Sequence, residues 1–205
     1  MPKQEFPFPM PNGWFCVTRS DEIKAGELKN IKFCENNVAA FRTKSGKAAV
    51  LDAYCGYSGI NLALCGEVRE EALYCPKTGI KWSADGSCID IDGDSLTPES
   101  AKDIKIFNYP VVEINGFIWA WHHLLKEKPY FKLPVLEGFN GDDDKWGKVY
   151  HYEYKINTVL QEIAENDVDQ AHFPKVHGSP SLPETEAIVD LSLIHISEPT
   201  RLDHI

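Results

Sequence analysis

Two regions of this chain carry the residues best suited to chemistry. The first is a matched pair of segments, Cys55-Gly56-Tyr57-Ser58-Gly59 and Cys75-Pro76-Lys77-Thr78-Gly79, each opening on a cysteine behind an apolar stretch and closing on a glycine. A thiolate at the mouth of a glycine-closed turn is a soft metal ligand, so the pair reads as two metal-binding loops. Small buried hydrophobes are the alternative reading for the same cysteines. The second region runs Glu165-Asn166-Asp167-Val168-Asp169-Gln170-Ala171-His172-Phe173-Pro174-Lys175-Val176-His177-Gly178. Asp169 and His172, three apart, share one face of a helix. Pro174 should stop that helix near Phe173, and the turn then brings His177 back beside His172. Two imidazoles and a carboxylate converging on one point make the 2-His-1-carboxylate arrangement for non-haem Fe(II), which leaves positions open for oxygen and substrate. The same spacing also suits solvated histidines at a helix end, with Asp169 one exposed acid among Glu165 and Asp167.

The elements that must position these residues follow from the pattern. Up to about residue 134 the chain reads as all-β. Short alternating stretches recur at 14–17, 37–42, 48–51, 79–82, 87–91 and 111–114, separated by turn signals such as Ser45-Gly46, Ala84-Asp85-Gly86 and Asp92-Gly93-Asp94. Asn115-Gly116 between two apolar runs predicts a type I′ hairpin joining 111–114 to 117–121. The spacing predicts a sandwich or small barrel. Residues 137–146, rich in Gly, Asn and Asp, read as an interdomain linker. Asp142, Asp143 and Asp144 lack the spaced ligands of a calcium loop. Beyond it, 148–156 alternates like a strand. Thr158, with Gln161 as a capping-box partner, then opens a helix carrying Val159, Leu160, Ile163, Ala164 and Val168 at helical spacing. The vicinal pair His122 and His123 follows a strand, so the two rings face opposite sides, one packed and one exposed.

Composition narrows the classes of function. The 205 residues are 43% hydrophobic and 25% charged, an ordinary globular balance. Thirty-one acids against twenty-one bases leave a net charge of −10, which repels phosphate backbones and argues against nucleic acid as a partner. No apolar run is long enough to span a bilayer. Residues 1–12 carry Pro and acid where a secretory signal would have a basic and then an apolar run, so a cytoplasmic location is expected. In that compartment the six cysteines read as ligands or core residues before disulfides.

The paired loops resemble the cluster-binding motif of the Rieske iron–sulfur domain, Cys-x-His, about seventeen residues, then Cys-x-x-His. Seventeen residues separate Tyr57 from Cys75, and Gly13-Trp14-Phe15, Leu51-Asp52-Ala53-Tyr54-Cys55 and Glu113-Ile114-Asn115-Gly116 match the surroundings. Asn166, Asp169, His172 and His177 resemble the catalytic-domain motif of the Rieske non-haem iron oxygenases, in the branch acting on steroids and sterols. The resemblance covers about residues 10–185. It implies a mostly β fold: a Rieske β-sandwich over 1–135, followed over 136–190 by the truncated start, a strand plus a helix, of an α+β helix-grip catalytic domain. It also implies a [2Fe-2S] cluster on the paired loops and a mononuclear Fe(II) on His172 and His177. Asp169 becomes the acid bridging the cluster of one subunit to the iron of its neighbour in a trimer, with Asn166 beside it. The family oxidises small apolar molecules with O2 and electrons from a separate reductase or ferredoxin. The carboxylate ligand of its iron comes from further along than this chain extends.

The departure lies in the cluster itself. Tyr57 and Thr78 stand where the two histidines belong, and residues 1–121 contain no histidine to replace them. A phenol and an alcohol are poor substitutes for imidazole at iron, so the Rieske fold is expected here without an ordinary Rieske cluster. Two outcomes follow: an oxygenase-like chain whose cluster site has decayed, or a non-catalytic subunit that keeps the fold for assembly. Four thiolates from Cys55, Cys65, Cys75 and Cys88 are an alternative cluster set. Residues 191–201 are identified as a match to the in-frame translation of a common sequencing adapter. Residues 191–205 are therefore expected to be non-native, with His195 and His204 carrying no chemistry and the gene product continuing past Asp190.

Overall fold

The structure, a computed structural model, describes residues 9–93, 103–136, 138–139, 147, 150–159, 162–163, 165–166 and 169–182. The expectations for 142–144, for Gln161 and for 191–205 lie outside those residues. The chain divides into two compact units, one of residues 10–147 and one of residues 1–9 with 148–205.

The first unit is built from three antiparallel sheets. One has the order β1 (Gly13–Arg19), β11 (Phe117–His122), β10 (Val111–Ile114). The second runs β2 (Leu28–Phe33), β3 (Asn36–Arg42), β4 (Ala48–Asp52), β9 (Asn108–Tyr109). The third runs β5 (Glu67–Arg69), β6 (Ala72–Tyr74), β7 (Ile80–Ser83), β8 (Cys88–Ile91). A one-turn helix, α1 (Leu62–Cys65), connects the second sheet to the third.

The second sheet is apolar on both faces, and the alternation of its side chains shows why. On β3, Ala39 and Phe41 join one buried cluster while Val38 and Ala40 join another; on β4, Ala49 and Leu51 join the first while Val50 joins the second. The first cluster is completed by Leu73, Cys75, Ile80 and Trp82 of the third sheet and its loop, and the second by Val17, Ile118 and Ala120 of the first sheet. A strand buried on both faces reads as a near-continuous apolar run, which is what Val38-Ala39-Ala40-Phe41 is. Trp82 and Phe41, both fully buried, are the largest contributions to the first core, on the order of 2–3 kcal/mol each relative to exposure.

The β10–β11 hairpin turns on Asn115 and Gly116, both at positive φ as a type I′ turn requires. Asn115 also secures the chain leaving the unit: its Nδ2 donates to the Pro134 carbonyl at 2.9 Å, and its Oδ1 accepts from the Leu136 amide at 2.9 Å. Arg42 ties the second sheet to the first. It donates to both oxygens of Glu113 at 2.8 and 2.9 Å, and to the carbonyls of Ile23, Gly46 and Ser20.

Three expectations need correction. Of the expected strand 148–156, the described residues 150–156 adopt no strand and are exposed throughout, so the alternation has no buried face to serve. Pro174 does not end a helix. It lies inside α2 (His172–Val176), in the first turn, where the missing N–H is one that the helix would leave unbonded anyway. The two vicinal histidines are both partly buried. The His123 side chain, 7% exposed, accepts from the amides of Leu125 and Glu127 through Nδ1 and stacks on Trp121, while burial pushes the pKa of His122 down.

Candidate functional site

The two cysteine loops have the same build. Residues 55–60 are enclosed by the antiparallel bridge Tyr54–Asn61, and residues 75–80 by the pair Tyr74–Lys81 of β6 and β7. In each loop the cysteine amide donates to the carbonyl of the isoleucine five residues on, Cys55 to Ile60 and Cys75 to Ile80, both at 2.9 Å. The glycine four residues on donates back to the cysteine carbonyl, Gly59 at 2.8 Å and Gly79 at 2.9 Å. Both glycines sit at positive φ, which favours glycine at the closing position. Gly79 also has no room for a side chain, since a Cβ there would meet the Asp92 carbonyl oxygen at 2.0 Å.

This geometry buries both cysteines. Cys55 is 3% exposed and Cys75 fully buried, both within the first core cluster. The residues at the histidine positions point elsewhere. Tyr57 is half exposed, and the Thr78 hydroxyl accepts from the Ile80 amide at 3.4 Å. Gly56 follows the first cysteine, and a Cβ there would press on the Lys105 carbonyl oxygen at 2.9 Å and on Ile104 at 3.0 Å. The donor set on these loops is two soft thiols, a phenol turned to solvent and a hydroxyl already engaged. It does not fit a cluster that needs two imidazoles on one of its irons.

Cys65 and Cys88 flank the pair. The Cys65 thiol donates to the Asn61 carbonyl at 3.0 Å and the Cys88 thiol to the Asp90 carbonyl at 3.8 Å. Burial raises the pKa of both, and the charges of Cys75 and then Cys55 raise that of Cys65 further. Among the described residues no three His, Cys, Asp or Glu side chains gather as a metal-holding group.

In the second unit, α2 carries His172 at its first position, and His177 follows its last turn with its amide donating to the Phe173 carbonyl at 3.1 Å. The rings of His172 and His177 lie 5.1 Å apart, centroid to centroid. Nδ1 of His172 faces Asp169, contacting its carbonyl oxygen and lying 3.9 Å from its carboxylate, while the other carboxylate oxygen accepts from the Ala171 amide. A hydrogen bond at Nδ1 fixes the tautomer that leaves Nε2 as the ligand. Asn166 is exposed on the preceding helical turn. The two imidazoles suit Fe(II), and the described residues add no third ligand to them.

Comparison with known proteins gives two domain matches in succession. Residues 13–107 match the Rieske [2Fe-2S] domain, and residues 120–198 match the 3-Ketosteroid 9alpha-hydroxylase C-terminal domain. Cholesterol 7-desaturase nvd 1 of Ciona intestinalis is 35% identical over 174 residues, which are 84% of this chain and 36% of that protein. The probable 3-ketosteroid-9-alpha-monooxygenase, oxygenase component, of Rhodococcus rhodochrous is 32% identical over 82% of this chain and 42% of its own length. The chain thus spans little more than a third of the length of the curated relatives it matches. Dicamba monooxygenase bound to dicamba shares the fold at a TM-score of 0.64 and 20% identity, over 82% of this chain and 48% of that one. A Rieske domain followed by a 3-Ketosteroid 9alpha-hydroxylase C-terminal domain, with relatives named as a sterol desaturase and a ketosteroid monooxygenase, places the chain among the Rieske oxygenases.

Proposed function

We propose that this chain forms part of an O2-dependent oxidoreductase that hydroxylates or desaturates a sterol or steroid, and that its own [2Fe-2S] site has decayed. The observation that carries this reading is the pairing of two intact cysteine loops with Tyr57 and Thr78 at the histidine positions, upstream of Asp169, His172 and His177. The substrate class rests on the relatives, which are named for cholesterol and 3-ketosteroid chemistry. A mononuclear Fe(II), when bound, would supply the oxygen chemistry, and His172 and His177 are the residues that would hold it. Asp169 orients His172 through its main-chain carbonyl, which accepts from Nδ1, and Asn166 lies on the same stretch of chain.

Without imidazoles on its own loops, the chain needs its electrons from an intact homologue in a mixed trimer, served by a reductase or ferredoxin. We place the assembly in the cytoplasm; among the described residues no helix is long and apolar enough to cross a membrane.

The test is co-expression of the full chain with a homologue that keeps both loop histidines, with sterol products read by mass spectrometry. The expected result is O2-dependent product that falls when His172 of this chain is changed to Ala. Product from the lone chain would overturn the reading. Unchanged output of the mixed assembly with His172→Ala would leave this chain as a non-catalytic subunit.

A further inference from the structure

We propose that the cleft beside Trp14, walled by Pro110, Pro129, Tyr130 and Phe131, binds a flat apolar molecule carrying one anionic head. The site lies wholly within the first unit and stands apart from the functional reading above.

The first sheet holds its floor. Trp14 on β1 and Trp121 on β11 meet edge-on, with ring centroids 5.4 Å apart. Each indole N–H is spent on the segment that crosses them: Trp14 Nε1 donates to the Phe131 carbonyl and Trp121 Nε1 to the Glu127 carbonyl, both at 2.9 Å. Tyr130 and Phe131 stand edge-on to Trp121 at 5.0 and 5.2 Å. The same segment is pinned at both ends. The Leu124 amide donates to Asn12 Oδ1 at 2.8 Å, and Asn115 holds Pro134 and Leu136. The cleft is therefore formed before any ligand arrives. Its volume of about 590 Å³ falls within the roughly 300–1,000 Å³ usual for small-molecule sites.

The lining selects the ligand. Aromatic and proline rings offer apolar faces to a flat molecule. The polar groups are two ammonium groups, from Lys128 and Lys132, with the Asn108 amide and the Tyr130 hydroxyl. None of these four has a hydrogen-bond or ion-pair partner among the described residues. No Asp or Glu lines the cleft, and Glu127, next in the chain, lies 3.6 Å from His123 Nε2 instead. In the groove on the third sheet, by contrast, Arg69 and Lys81 are already paired with Glu67, Asp90 and Asp92. A cation would be repelled by Lys128 and Lys132, and a neutral molecule would leave both unused. A carboxylate or sulfonate accepts charge-assisted hydrogen bonds from them while its apolar body covers the rings.

The experiment titrates the full chain by calorimetry with 2-naphthoate and, separately, with its neutral analogue 2-naphthamide. The expected result is saturable one-to-one binding of naphthoate, about ten-fold tighter than naphthamide. The double variant Lys128→Gln with Lys132→Gln should weaken naphthoate by roughly ten-fold and leave naphthamide unchanged. Lys128→Arg with Lys132→Arg should keep the naphthoate affinity. Both lysines are exposed, so these changes leave the fold intact. Tyr130→Ala, at a ring 57% exposed, should weaken both ligands. Equal affinity for the two ligands, the absence of saturable heat, or undiminished naphthoate binding by the double glutamine variant would each overturn the site.

Discussion

His172 and His177 stand on either side of a single helical turn with their rings 5.1 Å apart, and Asp169 backs the first of them. The spacing suits two imidazoles on one ion, and the main-chain carbonyl of Asp169 holds His172 in the tautomer a metal needs. The full chain is therefore expected to take up Fe(II) under anaerobic titration. His172→Ala and His177→Ala should each abolish uptake. Asp169→Asn keeps the main-chain carbonyl that meets Nδ1 of His172 and should leave uptake largely unchanged. Cys55→Ser should leave it unchanged. Undiminished uptake by His172→Ala would remove this site.

The cysteine loops allow a test by restoration. If Tyr57 and Thr78 are all that separates these loops from a cluster site, the double variant Tyr57→His with Thr78→His should gain acid-labile sulfide and the spectrum of a Rieske centre. Tyr57 is half exposed and Thr78 lies in the loop turn, so neither change disturbs the core. Each single variant supplies one imidazole and should gain nothing, because the outer iron needs two. A double variant that folds and stays colourless would show that Gly56, crowded by the Lys105 carbonyl, or another loop feature also bars the cluster.

How far the sequence alone leads is clear from particular elements. The strands around 14–17, 37–42, 48–51 and 111–114 were legible because alternation and apolar runs follow burial, and Asn115-Gly116 announced its turn by residue type. Strand β2 was not legible, because the turn joining it to β3 is Cys34-Glu35, two residues that rarely adopt positive φ. Strands β5, β6 and β9 are two or three residues long, too short to carry a period. At the sites, cysteine and histidine spacing named the residues. It could not show that the two loops share one set of hydrogen bonds, because those run through the backbone. Nor could it show that Pro174 begins the turn between the histidines instead of ending one, since Pro is tolerated at both places.

The β2–β3 turn yields a prediction of its own. Phe33 pairs with Asn36 across Cys34 and Glu35, which sit at φ of 44° and 71°. A left-handed conformation strains a non-glycine residue by about 1–2 kcal/mol, and glycine relieves it at a smaller entropic loss in the unfolded chain. Glu35 is exposed, so its side chain buries no apolar contact. Glu35→Gly is expected to stabilise the fold by about 0.5–1 kcal/mol, read as a higher urea midpoint at unchanged slope. A lower midpoint would mean that the Glu35 side chain, not the backbone, decides the turn.

Acid stability follows from two carboxylates whose folded pKa values are depressed. The Arg42 guanidinium, bonded to both oxygens of Glu113, holds that carboxyl below its ordinary range. The hydroxyls of Ser83 and then Ser87 bring Asp85, in the β7–β8 turn, down to about 2. A depressed carboxylate contributes stability above its unfolded pKa of about 4, and that contribution fades as pH falls through the folded value. The loss should therefore run from about pH 4.5 down to about 2. Both side chains are exposed enough for solvent to screen them, so each contributes less than about 1 kcal/mol. Urea midpoints measured from pH 7 to pH 2.5 should fall for the unsubstituted chain and fall less steeply for Asp85→Asn and Glu113→Gln, which have no charge to lose. Parallel pH profiles for all three chains would show that acid unfolding is driven elsewhere in the molecule.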